Sequence, residues 1–88
     1  MEVYIASKKG LKIRLALLET NVTNEPDPLH AKTILNVARE KYDALINAYG
    51  NMTVESSEIE KEIEVLSDRF FKNYMTLYQI CVKKENPN

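Results

Sequence analysis

Few residues in this chain have the chemistry to act on a substrate, and their types and spacing limit what they can do. Cys81 is the only cysteine and His30 the only histidine. A nucleophilic site needs a thiol or hydroxyl held beside a base that a third group orients. The sequence places His30 in the first turn of a helix, where a solvated polar role is the simpler reading. Cys81 falls in an aromatic-rich stretch, where a thiol behaves as a small apolar group. A structural zinc site takes about four Cys or His ligands, and these two residues do not supply them. The glutamates Glu55, Glu58, Glu60, Glu62 and Glu64 lack the glycine turn of a calcium loop and the Glu-x-x-His pairs of a metal-binding bundle. They read as a solvated helix face. No glycine-rich phosphate loop is present. The expectation is a chain with no catalytic residues, no metal and no cofactor or small-molecule substrate.

Lys8, Lys9, Lys12 and Arg14 are the remaining candidates. Four cations near the beginning can neutralise a few phosphates, which makes them the candidate nucleic-acid residues. Two other readings stand beside this one. They can form the solvated face of a helix whose other side is Leu11, Leu15 and Leu18. They can also complement the glutamates, because the first and third helices of an up-down-up bundle start at the same end. The formal net charge of −1 gives no global attraction to nucleic acid or to an anionic membrane.

The elements that position these residues follow from the punctuation. With 88 residues the chain makes one small domain over 1–88; such a core is modest and often gains from association. A single cysteine allows no internal disulfide. Asn24-Glu25-Pro26-Asp27-Pro28 is the first break, with Asp27 as an N-cap and Pro28 at the first helical position. Gly50-Asn51 is the second, where Gly50 can take the left-handed conformation that closes a helix. Helices are expected over 7–23, with an earlier start of the first left open, 28–49 and 54–84. Leu11, Leu15, Leu18 and Val22 share one face of the first helix, with Ile13 and Leu17 widening it or lying beside it. Gly10 weakens that helix, so the residues before it are expected to fray. Ala31, Ile34, Leu35, Ala38, Tyr42, Leu45 and Tyr49 form the apolar face of the second. Ser57 and Glu60 match a capping box for the third, with Thr53 as an earlier alternative. The fold class expected is all-α: an up-down-up three-helix bundle, or a helical hairpin with a long C-terminal helix completed by oligomerisation.

The third helix carries two apolar stripes. Ile59, Ile63, Leu66, Phe70, Leu77 and Ile80 follow heptad spacing, with Asn73 between Phe70 and Leu77. Phe71, Tyr74, Tyr78 and Cys81 form a second stripe, and Met75 and Val82 add to it. Either the two other helices cover one stripe each, or the second stripe meets a partner. At 1.5 Å per residue the third helix spans about 42–45 Å and the second about 33 Å. The sequence therefore favours an overhang near 74–82 that packs on another molecule. Phe70, Phe71, Tyr74, Leu77, Tyr78 and Cys81 are the expected protein-interaction residues. Asn73 either fixes the register of that contact or reaches solvent.

The order of motifs also resembles a known family. Lys8-Lys9-Gly10-Leu11-Lys12-Ile13-Arg14-Leu15-Ala16-Leu17-Leu18-Glu19 resembles the opening of Gag-like polyproteins from insect Bel/Pao-type retrotransposons. Residues 35–49 look like their second helical stretch. Residues 58–74, with Glu60, Glu62, Asp68-Arg69-Phe70-Phe71 and Tyr74, resemble their acidic run and aromatic-rich helix. Ala16 departs from the Thr often found there, and the protease and zinc-knuckle regions of the longer polyprotein are missing. The resemblance implies a structural, self-associating or adaptor role without catalysis, in an excised N-terminal domain or a retrotransposon-derived gene.

The leading expectation is therefore a non-enzymatic module that oligomerises or binds another protein through its third helix. The alternative is a nucleic-acid-associated assembly domain using the basic first helix. No stretch approaches the roughly 20 apolar residues of a membrane span. The beginning lacks the apolar core of a signal peptide, so an intracellular setting, cytoplasmic or nuclear, is expected. The sequons at Asn21 and Asn51 are read as chance matches on that basis.

Overall fold

The computed structural model describes residues 2–24, 26–53 and 56–85. Three helices account for most of them: α1 (Glu2–Asn24), α2 (Pro28–Gly50) and α3 (Ser57–Glu85). Val54 and Glu55, where the third helix was expected to open, lie outside the described residues, as does Glu25.

Each boundary has a local cause. The Asp27 Oδ1 accepts the His30 backbone N–H at 3.0 Å, and Pro28 occupies the first helical position of α2. This satisfies one of the free N–H groups at the helix start and sacrifices none. At the other end Gly50 closes α2 without a left-handed conformation. Asn51 sits at φ −91° and ψ −3°; its N–H donates to the Asn47 carbonyl and the next N–H, of Met52, donates to the Tyr49 carbonyl, both at 3.1 Å. The expected glycine cap is thus replaced by a tightened last turn. The cap of α3 lies one residue before the expected Ser57: Ser56 Oγ accepts the Ile59 N–H at 3.4 Å. Glu60 gives its backbone N–H to the Ser56 carbonyl, so no capping box forms.

The helices run up, down and up. Lys8 faces Glu62 and Glu19 faces Arg69, so α1 and α3 are parallel. Tyr42 meets Ser67 while Pro28 meets Cys81, so α2 runs against α3. The molecule measures 50 × 18 × 18 Å, a rod one bundle wide. Its core is built from Tyr4, Leu11, Leu15 and Leu18 of α1, Ala31, Ile34, Leu35, Ala38, Leu45 and Ala48 of α2, and Leu66, Phe70, Leu77 and Cys81 of α3. Ala31 and Ala38 are fully buried and let the helices approach closely.

Two expectations about helix length are corrected together. The first helix begins at Glu2 and does not fray before Gly10. Tyr4 is buried there, and its hydroxyl donates to Glu62 Oε2 at 3.0 Å. This early start covers the beginning of α3. The end of α3 is covered as well. The register set by Tyr42 and Ser67 continues to Pro28 and Cys81, an equal number of residues along each helix, so α2 accompanies α3 past Tyr78. Lys84 Nζ donates to the Pro26 carbonyl at 3.0 Å, and Glu85 pairs with Lys32. The anticipated overhang near 74–82 does not exist, because the α1–α2 connection docks at that level.

Candidate interaction surface

The six residues expected to make a contact divide into two groups. Phe70, Leu77 and Cys81 are buried in the bundle. They face α1 and α2, and Cys81 points its thiol at the Pro28 carbonyl, 3.7 Å away. Core packing occupies them, so they are removed from the contact set. Tyr74 is half-buried, its ring centroid 5.2 Å from that of Phe70. Phe71 and Tyr78 remain on the surface.

The surface stripe is completed by two residues that the sequence placed beside it. Phe71, Met75, Tyr78 and Val82 recur at steps of four, three and four, which keeps them on one side of a helix. They are 52, 50, 49 and 38% exposed. Spacing alone could have found Met75 and Val82, since they continue from Phe71 as regularly as Leu77 continues from Phe70. Burial was needed to show that Cys81 belongs to the other side.

An aromatic cluster packs behind the beginning of the stripe. The Tyr42 and Phe70 rings stack with centroids 4.4 Å apart and an interplanar angle of 4°. Phe71 packs edge-on against both, at 5.3 Å from each centroid. The Tyr42 hydroxyl lies 3.0 Å from Ser67 Oγ, which satisfies the polar end of the ring. Beside this cluster a shallow groove of about 330 Å³ runs between α2 and α3, lined by Arg39, Tyr42, Asp43, Phe71, Tyr74 and Met75 among others. Aromatic residues, Met and Arg are the types enriched at the centres of protein interfaces.

The basic residues behave differently. Lys8, Lys9, Lys12 and Arg14 do not share a face. Lys8 Nζ lies 2.8 Å from Glu62 Oε2 and 5.4 Å from the Tyr4 ring centroid. Lys8 and Lys12 line a groove of about 560 Å³ between α1 and α3, together with Lys61, Arg69, Glu58 and Glu62 over a floor of Val65 and Leu66. Lys9 is exposed one position round the helix. Arg14 lies on the far side, in a cleft with Leu17, His30 and Thr33. The Lys8–Glu62 pair realises the internal charge complement between the two helix starts.

Sequence reading missed the strongest polar contact. Arg69 grips Glu19 with two parallel bonds, Nε to Oε2 and a terminal guanidinium nitrogen to Oε1, both 2.6 Å. Asn73 adds a bond to Glu19 Oε2 at 3.3 Å and another to the Arg69 carbonyl at 2.9 Å. Asn73 therefore sets register between α1 and α3 inside the chain. The Arg69 bonds hold the Glu19 carboxyl below its ordinary value. Bonds from Lys8 and Tyr4 do the same for Glu62. Burial, with help from Glu62, pushes the Tyr4 hydroxyl up to about 12.

Among the described residues no group of three or more His, Cys, Asp or Glu is placed to hold a metal ion. No described helix is long and apolar enough to cross a membrane. Comparisons with protein-family models, curated proteins and solved structures return no match for this chain.

Proposed function

We propose that the chain is a non-catalytic interaction module whose contact surface is the outer stripe of α3: Phe71, Met75, Tyr78 and Val82, flanked by Tyr74 and the α2–α3 groove. The observation that carries this reading is the alignment of four large apolar side chains, each more than a third exposed, on one face of a helix whose other sides already pack on α1 and α2. Exposed apolar residues scattered singly are ordinary, whereas a contiguous patch marks a contact site. On α1 only two such residues, Ile13 and Leu17, adjoin one turn apart, a shorter exposure than the four on α3. Binding nucleic acid through the first helix has less support, since Lys8 and Lys12 share a groove with Glu58 and Glu62 while Arg14 lies on another face, and Lys8 is paired within the chain.

The reading predicts that Met75→Glu with Tyr78→Glu abolishes association while circular dichroism keeps its helical signal. Association means either sedimentation above the monomer mass or retention of proteins on the immobilised chain. A wild-type chain that sediments as a monomer and retains the same proteins as the double variant would overturn it.

A further inference from the structure

A second surface lies away from the outer stripe, in the groove of about 560 Å³ between α1 and α3. That size falls within the range of small-molecule sites, about 300–1,000 Å³. The floor is apolar. Leu66 closes it from the core side, and Val65 lies along it, 65% exposed, the highest value among the large apolar residues exposed on α3. Val65 does not belong to the stripe, because six residues put it about 120° round the helix from Phe71. The walls are lysine stems. Lys8 and Lys12, one turn apart, stand on the α1 side, and Lys61, one turn before Val65, stands on the α3 side. A lysine stem covers apolar surface while its ammonium group stays in water. The groove is therefore apolar at the bottom and cationic at the rim.

The charges that line it do not cancel. Glu62 is held by Lys8 and by the Tyr4 hydroxyl. Arg69 is engaged by Glu19, which lies outside the groove. Lys12 and Lys61 form no ion pair among the described residues. Lys12 also helps to hold the Glu62 carboxyl below its ordinary value, which places its charge on the groove. The remaining carboxylate of the lining is Glu58, about 10 Å along α3 from Val65. Glu64 and Asp68, the acids nearest Val65 along the chain, are outside the lining. Once the pairs are set aside, Lys12 and Lys61 stand against Glu58, and one positive charge is left over.

We propose that this groove binds a small anionic amphiphile, its apolar body seated on Val65 and Leu66 and its single acidic head held by Lys12 and Lys61. Each part of the ligand answers a feature of the groove. A bare phosphate or carboxylate would leave Val65 exposed to water. A neutral or cationic apolar molecule would leave the surplus positive charge unmatched. A second acidic head would face Glu58 and Glu62 without compensation. The site is independent of the outer stripe, which lies on another side of α3.

Titration of the isotope-labelled full chain with decanoate, kept below its micelle concentration, tests the proposal through amide chemical shifts. The expected shifts saturate and centre on Lys12, Lys61, Val65 and Leu66. Acetate has the head alone and decyltrimethylammonium has the body with the opposite charge, so each should bind about tenfold more weakly or worse. Val65→Asp should abolish saturation. Lys12→Glu should weaken decanoate binding about tenfold. Lys9→Glu makes the same charge change outside the groove and should alter it by no more than about twofold, since exposed charges at a distance are screened. All three positions are exposed, and circular dichroism checks that each variant keeps the bundle. Arg69 is left in place because its bonds to Glu19 hold α1 to α3. The absence of a saturable shift overturns the proposal, as do shifts centred on Phe71 to Val82. Equal binding of acetate or of the cationic analogue overturns it too, and so does an equal loss in Lys9→Glu and Lys12→Glu.

Discussion

At the scale of single residues, the polar contacts divide the work between holding the bundle and leaving a surface free. Glu19, Arg69 and Asn73 lock α1 to α3, and Tyr4, Lys8 and Glu62 lock their beginnings. These contacts predict how stability changes with pH. Glu19 and Glu62 titrate below their ordinary 4.5 in the folded chain. The unfolded chain then binds more protons in acid, so the stabilisation is present above pH 4.5 and is lost as pH falls through the lowered values. Tyr4 holds its proton to about 12, against 10.0 when unfolded. Its contribution is intact below pH 10.0 and disappears as pH rises toward 12. Urea midpoints measured across pH should form a plateau with two falling limbs. Glu19→Gln should flatten the acid limb and Tyr4→Phe the alkaline one. Limbs unchanged by these substitutions would contradict the assignments. The pairs were hidden in the sequence because Glu19 and Arg69 lie 50 positions apart and only the α1–α3 register joins them.

At the scale of the helices, Gly10 offers the clearest test. It lies inside a continuous helix, and an added methyl group would meet only the Lys41 Cδ at an ordinary 3.7 Å. Gly10→Ala should therefore gain most of the propensity difference, about 1 kcal/mol. Thermal denaturation should show a midpoint raised by roughly 4–8 °C. A lower midpoint would mean that α1 needs the glycine for a closer approach to α2. Helix α2 was legible from Asp27-Pro28 and its apolar spacing, because those signals act within one turn. The start of α1 was not legible. Tyr4 is held by α3, and a tertiary anchor outweighs the local cost of Gly10. The choice between Ile80 and Cys81 for the core was also beyond the sequence. The two flank the line through Phe70 and Leu77, and which one is buried depends on where the first turn of α2 approaches.

At the scale of the whole molecule, a three-helix rod covers two sides of each helix and leaves the third to solvent. For α1 that third side holds Lys9 and Thr20 beside Ile13, and for α3 it holds Phe71, Met75, Tyr78 and Val82. The sequence showed that α3 has more apolar surface than one seam needs. It misplaced the surplus at an overhang, since helix lengths alone do not say where the connections dock. The surplus lies along the side of the bundle, next to the Tyr42–Phe70–Phe71 cluster. The most direct measurement is a dilution series of amide chemical shifts on the isotope-labelled chain. The account predicts shifts that vary with concentration, or with an added protein that the chain retains, and that are strongest at Phe71, Met75, Tyr78 and Val82. Shifts centred on Lys8, Lys12 and Arg14, or a spectrum that changes neither with concentration nor with an added protein that the chain retains, would contradict it.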